Sequence, residues 1–127
     1  MKKIAALLGL SLLLSAFQFS VVQAQGLPPG VTVEVLKEYP ASLIPGAKSI
    51  KQMLFVLQPG AKLENFSPPG VHFCSAVVGE AKVVIGGKTI IRKAGTQWIE
   101  EKGVPFTITN EGNVPFVDMF FQVVFEK

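Results

Sequence analysis

The sequence predicts an all-β domain, a sandwich or a barrel, on three observations. Short alternating or β-branched apolar runs recur at close spacing. Glycine and proline, 12 and 9 of 127 residues, punctuate those runs. Beyond the first two dozen residues, no helical period lasts longer than a turn.

The N-terminal segment reads differently. Lys2 and Lys3 precede an apolar stretch, Ile4 to Leu14, and Val22-Gln23-Ala24 offers the small residues at which a signal peptidase cuts. A membrane span needs roughly 20 apolar residues, whereas Ser11, Ser15, Gln18 and Ser20 interrupt this one. The expectation is a signal peptide over residues 1–24 and a mature chain in the periplasm or outside the cell, with no membrane attachment after cleavage. The only cysteine, Cys74, lies too far along the chain for lipidation.

Residues 25–48 are expected to form a linker and a first strand. Gln25 to Gly30 carries paired prolines, which cannot join a ladder. Val31 to Leu36 alternates as a strand, and Tyr39 to Ala47 is a loop around Pro40, Pro45 and Gly46. The remainder, 49–127, is expected to be the barrel. Ser49 to Gln58 is a strand closed by Pro59-Gly60, and a turn-rich stretch runs to Pro68-Pro69-Gly70. Val71 to Val78 is a strand ending at Gly79. Ala81 to Ile85 and Lys88 to Arg92 flank Gly86-Gly87 as a hairpin. Strands follow at Thr96 to Ile99, Val104 to Thr109 and Val114 to Phe125.

The last strand is apolar on both faces: Val117, Met119, Phe121, Val123 and Phe125 on one, Phe116, Phe120 and Val124 on the other. Such a strand is covered on both sides. One cover is the core; the other is a partner subunit in a homodimer or the chain's own N-terminal segment.

Removing residues 1–24 from the 127 leaves 103, one small domain. A domain this small has a thin core margin, and a lone cysteine cannot form an internal disulfide. Cys74 is therefore buried, bridges two chains or binds something. Charge excludes one class of partner. Two of the 12 basic residues lie in the signal, leaving 10 against 9 acidic ones, scattered without a basic run. Nucleic acid has no electrostatic footprint here.

Two spaced motifs carry a family resemblance. Gly60 is followed by five residues, Phe66-Ser67-Pro68, three residues, His72, six residues and Gly79. After a further fifteen residues, Gly95 is followed by five residues, Glu101-Lys102-Gly103, two residues, Phe106, three residues and Asn110. From about residue 49 to 125 the chain resembles the cupin superfamily, whose first motif is Gly, His-x-His, Glu, Gly and whose second is Gly, Pro-x-Gly, His, Asn at these spacings. The resemblance implies a jelly-roll barrel. The glycines suit tight corners, and Asn110 can adopt a left-handed backbone or bond the local chain.

In that family two histidines and a glutamate from the first motif and a histidine from the second converge on one metal. Here Phe66, Pro68, His72 and Phe106 hold those positions. Phenylalanine and proline have no lone pair to give, so the resemblance implies a metal-free cavity, drier than usual, with no cofactor. Reading His72-Phe73-Cys74 as the His-x-His element instead leaves Gly79 too close, and that register is rejected.

His72 and Cys74 are two apart on a strand and share a face. Three readings stay open. They are a satisfied core histidine beside an inert thiol; His72 is a general base or polar anchor; or the pair, with Met53 or Met119, binds a soft metal such as copper. Glu100-Glu101 reads as a solvated turn, Lys88, Arg92 and Lys93 as surface charge, and Trp98 as core. Asp118 is the one acidic residue in a late strand, its face open.

The leading expectation is a metal-independent module binding a small, largely apolar ligand, or an accessory protein. The ligand-lining residues are then Phe66, Pro68, His72, Cys74, Trp98, Phe106 and Met119. The alternatives are a metal-free isomerase, epimerase or lyase with His72 as base, a copper site at His72 and Cys74, and a structural partner of another exported protein.

Overall fold

The computed structural model describes residues 26–126; the expected signal peptide lies outside them, as do Gln25 and Lys127. Alternating apolar residues make strands that bury one face, and among the described residues nine strands pair into two sheets. They are β1 (Val31–Tyr39), β2 (Ala47–Leu57), β3 (Lys62–Phe66), β4 (Val71–Val78), β5 (Glu80–Ile85), β6 (Lys88–Lys93), β7 (Gln97–Glu100), β8 (Phe106–Thr109) and β9 (Phe116–Phe125). A 3-10 turn, Ala41–Leu43, follows β1. One sheet runs β1-β2-β9-β4-β7 and the other β3-β8-β5-β6, every pairing antiparallel. The two sheets form a jelly-roll barrel, and the segment expected as linker and first strand adds β1 to its larger sheet.

The core lies between the sheets. Leu57, Val31 and Phe116 are fully buried, joined by Val83, Ile108, Phe106 and Phe120. Burying such a side chain contributes about 1.5–3 kcal/mol. Phe55 meets Phe116 edge to face at 6.5 Å. The chain crosses from one sheet to the other at Gly79, between β4 and β5. Its φ is +71°, and a Cβ there would collide with the carbonyl of Pro115. Only glycine fits that corner.

β3 falls in the stretch read as turn-rich. Its Lys62, Glu64 and Asn65 are exposed, and a register break between Leu63 and Phe66, with Asn65 at φ +46°, disrupts the alternation. As an edge strand it needs only one paired side.

The two faces of β9 are divided by parity. Phe116, Asp118, Phe120 and Gln122 point inward; Val117, Met119 and Phe121 point to the outer face. That outer face stays apolar, with Phe73 48%, Ile99 60% and Phe121 39% exposed.

Asn110 locks the barrel's end. It is fully buried, and its Nδ2 donates to the carbonyls of Leu57 and Val114, both at 2.8 Å. Its Oδ1 accepts from the Gly112 N–H at 2.9 Å, and its own carbonyl accepts from the Gly60 N–H at 2.8 Å. The left-handed backbone considered for it is not used: Asn65 is the one non-glycine residue with positive φ among the described residues. Asn110→Ala strands two carbonyls and an N–H, so it is expected to destabilise the fold by about 2–4 kcal/mol. Urea unfolding should show a lower midpoint at unchanged slope; a loss under about 0.5 kcal/mol would refute this role.

Candidate functional site

Strand alternation turns His72, Cys74 and Ala76 of β4 toward the barrel interior. The flanking strands then supply their neighbours by register. Opposite His72 stand Glu100 on β7 and Gln122 on β9; opposite Cys74 stand Trp98 and Phe120; opposite Ala76 stands Asp118. Three adjacent strands thus lay a polar row, Gln122-His72-Glu100, beside a second row of Phe120, Cys74 and Trp98.

His72, 3% exposed, is clamped at both ring nitrogens. Nδ1 is 3.0 Å from Glu100 Oε1 and Nε2 is 3.0 Å from Gln122 Oε1. Nε2 donates to the Gln122 carbonyl when the ring is protonated; a neutral ring donating to Glu100 needs the Gln122 amide turned to donate instead. The imidazole also lies 4.5 Å from the Phe120 ring. Glu100 is fixed from its other side by the Trp98 indole, whose Nε1 donates to Oε2 at 3.0 Å. Trp98 in turn carries the Arg92 guanidinium over its ring at 4.7 Å.

These residues border a cavity of about 420 Å³. Its apolar walls include Phe55, Phe66, Phe106, Phe120, Leu63 and Met53, and its polar wall is His72, Glu100, Asp118 and Gln122. Phe66 and Phe106, paired across β3 and β8, meet edge to face at 5.7 Å. The volume falls within the range of small-molecule pockets, and the lining combines apolar walls with a few polar groups.

The polar wall shapes its own protonation. Burial first, and the Glu100 charge second, push the Asp118 carboxyl up to about 7, although the Ser75 N–H, Cys74 and His72 each oppose the rise. Ser75 N–H donates to Asp118 Oδ1 at 3.1 Å. Burial, followed by the Glu100 and Asp118 charges, holds the Cys74 thiol far above its ordinary range. A buried acid that titrates near neutrality can give or take a proton.

Of the seven expected lining residues, Phe66, His72 and Phe106 border the cavity. Pro68 is fully buried and does not, its neighbours Ser67 and Pro69 lining the cavity instead. Cys74 and Trp98 lie on the correct face but do not border the cavity; they pack in or against the core and line a separate, open depression between β4 and β7. Met119 lies on the opposite face of the sheet, where its sulfur accepts from Gln52 Nε2 at 3.1 Å. It could not share a pocket with Phe120, because adjacent strand residues point apart.

Glu100 corrects the sequence reading most sharply. It is not a solvated turn but the last residue of β7, its side chain 15% exposed. Glu101, next to it, is in the exposed turn as expected. Arg92 departs too: it caps Trp98 rather than serving as plain surface charge. The cavity is therefore less dry than three lost ligands suggested. The alternation Trp98, Glu100 ahead of the Gly103 turn was the available signal.

The metal of the cupin pattern does not fit here. Two of its four ligand positions carry the paired phenyl rings and a third a proline. Separately, donor atoms of His72, Cys74 and Glu100 lie within 4.8 Å of one another. A soft cation at that group would have to break the His72–Glu100 bond and expel the tightly held thiol proton. Of the two thioethers considered for it, Met53 is on the cavity side.

No protein-family model and no curated protein matches the sequence. Solved structures do resemble it. A cupin superfamily protein from Desulfitobacterium hafniense shares 14% identity, covers 83% of this chain and 85% of its own, and superposes with a TM-score of 0.60. The cupin domain of an XRE family transcriptional regulator from Enterobacter cloacae does so at 16% identity, 77% and 99% coverage and TM-score 0.60. The polyketide cyclase RemF from Streptomyces resistomycificus gives 12% identity, 80% and 71% coverage and TM-score 0.63.

The raised Asp118 carboxyl links folding to pH. Its ordinary value is 3.8, so between about pH 4 and 7 the folded protein keeps a proton that the unfolded chain has released. This group's contribution is therefore fully present below pH 4 and declines as pH rises to 7. Asp118→Asn keeps the acceptor for Ser75 and removes the decline. The melting temperature of the variant relative to wild type should be higher at pH 8 than at pH 4, by roughly 5 °C or more. A difference that is flat or opposite in sign would refute the linkage.

Proposed function

We propose that this chain, which has the cupin fold, is an exported, metal-independent binding module for a small and largely apolar molecule. The observation that carries the reading is the cavity of about 420 Å³ walled by four phenyl rings, with its titratable groups and Gln122 gathered on one side. The apolar body of a ligand lies between Phe66, Phe106, Phe55 and Phe120, and its polar end meets His72, Glu100, Asp118 and Gln122. Export is supported by the pattern of residues 1–24.

Catalysis is the second reading, favoured by one observation: the acidic partner that a His72 base needs stands in the same wall, as Asp118 and Glu100. A metal-free isomerase, epimerase or lyase would move a proton through that wall. His72 must first release Gln122 to present Nε2 to a substrate.

Ethylbenzene, titrated against mature protein and followed by amide chemical shifts and calorimetry, should bind saturably with shifts confined to the cavity residues. Binding should survive dialysis against a chelator, and Phe66→Ala should weaken it about 3–10-fold by removing one ring wall. Absence of saturable binding by ethylbenzene and by its charged analogues alike, or loss of binding with the chelator, would refute the binding module. Turnover of any bound compound that His72→Ala abolishes while binding persists would replace binding with catalysis.

We also propose that the outer face of the β1-β2-β9-β4-β7 sheet is covered by a second copy of the chain. Phe73, Ile99 and Phe121 leave an apolar surface there, edged by Gln52 and Gln97 and, on β1, by the exposed Glu34 and Lys37. Sedimentation of the protein lacking residues 1–24 should give a dimer, and Phe121→Glu a folded monomer. A monomeric parent protein, or a dimer untouched by the substitution, would refute the pairing.

A further inference from the structure

The charges around the cavity are one-sided. Glu100, Asp118 and His72 are its titratable lining residues, and neither lysine nor arginine lines it among the described residues. The nearby cations are engaged elsewhere, Lys51 with Glu38 at 3.5 Å and Arg92 over the Trp98 ring. The single imidazole is spoken for by Glu100, 3.0 Å away. A protonated His72 can therefore offset one carboxylate, and Asp118 has no cation of its own. Its Oδ1 accepts from the Ser75 N–H at 3.1 Å, which satisfies hydrogen bonding but not charge.

The apolar walls bear on the same question. Phe55, Phe66, Phe106 and Phe120 present phenyl rings to the cavity. Ring faces carry negative potential and attract cations, most strongly where water is excluded. A buried carboxylate beside aromatic walls discriminates by sign. An anion meets Asp118 and Glu100 with like charge. A neutral hydrocarbon gains apolar contact and leaves the carboxylate uncompensated. A cation with an apolar body gains on both counts.

We propose that the cavity takes a small organic ammonium, its charged nitrogen at Asp118 and its apolar body among the phenyl rings. This rests on the binding reading above and names the ligand class for it. The ammonium takes the place of the proton that Asp118 otherwise holds, so binding below pH 7 releases that proton to solvent. The groups facing Asp118 are His72 and Cys74 from β4 and Glu100 from β7; Phe55 on β2 and the lining residues of β3 and β8 carry no titratable side chain.

The test uses the mature protein and three probes of similar shape: benzylammonium, ethylbenzene and phenylacetate, measured by calorimetry at pH 8 and pH 5.5. A primary amine stays charged across this range. At pH 8 benzylammonium should bind about tenfold or more tighter than ethylbenzene, with phenylacetate weakest. The ratio of the first two should shrink at pH 5.5, and Asp118→Asn should shrink it at pH 8. Ethylbenzene binding as tightly as benzylammonium, or phenylacetate binding best, would overturn the ammonium assignment and leave the binding module standing. Failure of all three on folded protein would overturn both. A preference for the ammonium that Asp118→Asn leaves unchanged would overturn the placement at Asp118.

Discussion

The clamp on His72 is the constraint on which the interior depends. A single imidazole deep in a small barrel is tolerable only if both ring nitrogens find partners, and Glu100 and Gln122 supply them from the two flanking strands. That requirement fixes more than one side chain. It ties the register of β7 and β9 to β4, because a slip of one residue would carry Glu100 or Gln122 to the outer face. It also recruits Trp98 to hold Glu100, and Arg92 to cover Trp98. A polar chain thus runs from the cavity wall outward.

Such a chain gives the interior a polar side without the metal donors of the cupin pattern. Where the cupin pattern that the sequence resembles calls for metal donors, Phe66, Pro68 and Phe106 stand. The rings of Phe66 and Phe106 fill that side of the barrel against each other. The polar groups gather instead on the β9-β4-β7 wall, and His72 is the one residue common to both arrangements. The resulting cavity is asymmetric, apolar on one side and acidic on the other. A two-sided surface of that kind orients what it holds, whereas a uniformly apolar void would not. The three solved structures described above share the barrel at 12–16% identity, and a barrel by itself does not specify chemistry.

Much of the fold could be read from the residues because strand and corner signals are local. Gly79 and Gly95 mark corners, Gly86-Gly87 a hairpin, and the two-residue period of β2, β4 and β9 gives their faces. β3 could not be read so easily. Its Asn65 breaks the alternation, and only pairing with β8 makes the segment a strand. In the site, Phe66, His72 and Phe106 were legible from motif spacing. Glu100 was not, since a charged pair ahead of a glycine looks solvated until a distant histidine is placed beside it. Asp118 shows the same limit. Which face of β9 turns inward depends on Phe116 and Phe120 reaching the core, a nonlocal fact. Met119 was misplaced for want of that same parity.

The burial of Cys74 has a consequence for durability. Oxidants and alkylating agents attack the thiolate, not the thiol. Here a low-dielectric setting and two neighbouring carboxylates keep sulfur in its unreactive form, between Phe120 and Trp98 on the flanking strands. An unpaired cysteine is a standing hazard wherever disulfides form freely, through mixed adducts and scrambling. With Cys74 only 4% exposed and its thiol held in the protonated form, adduct formation and scrambling are slowed for as long as the chain stays folded.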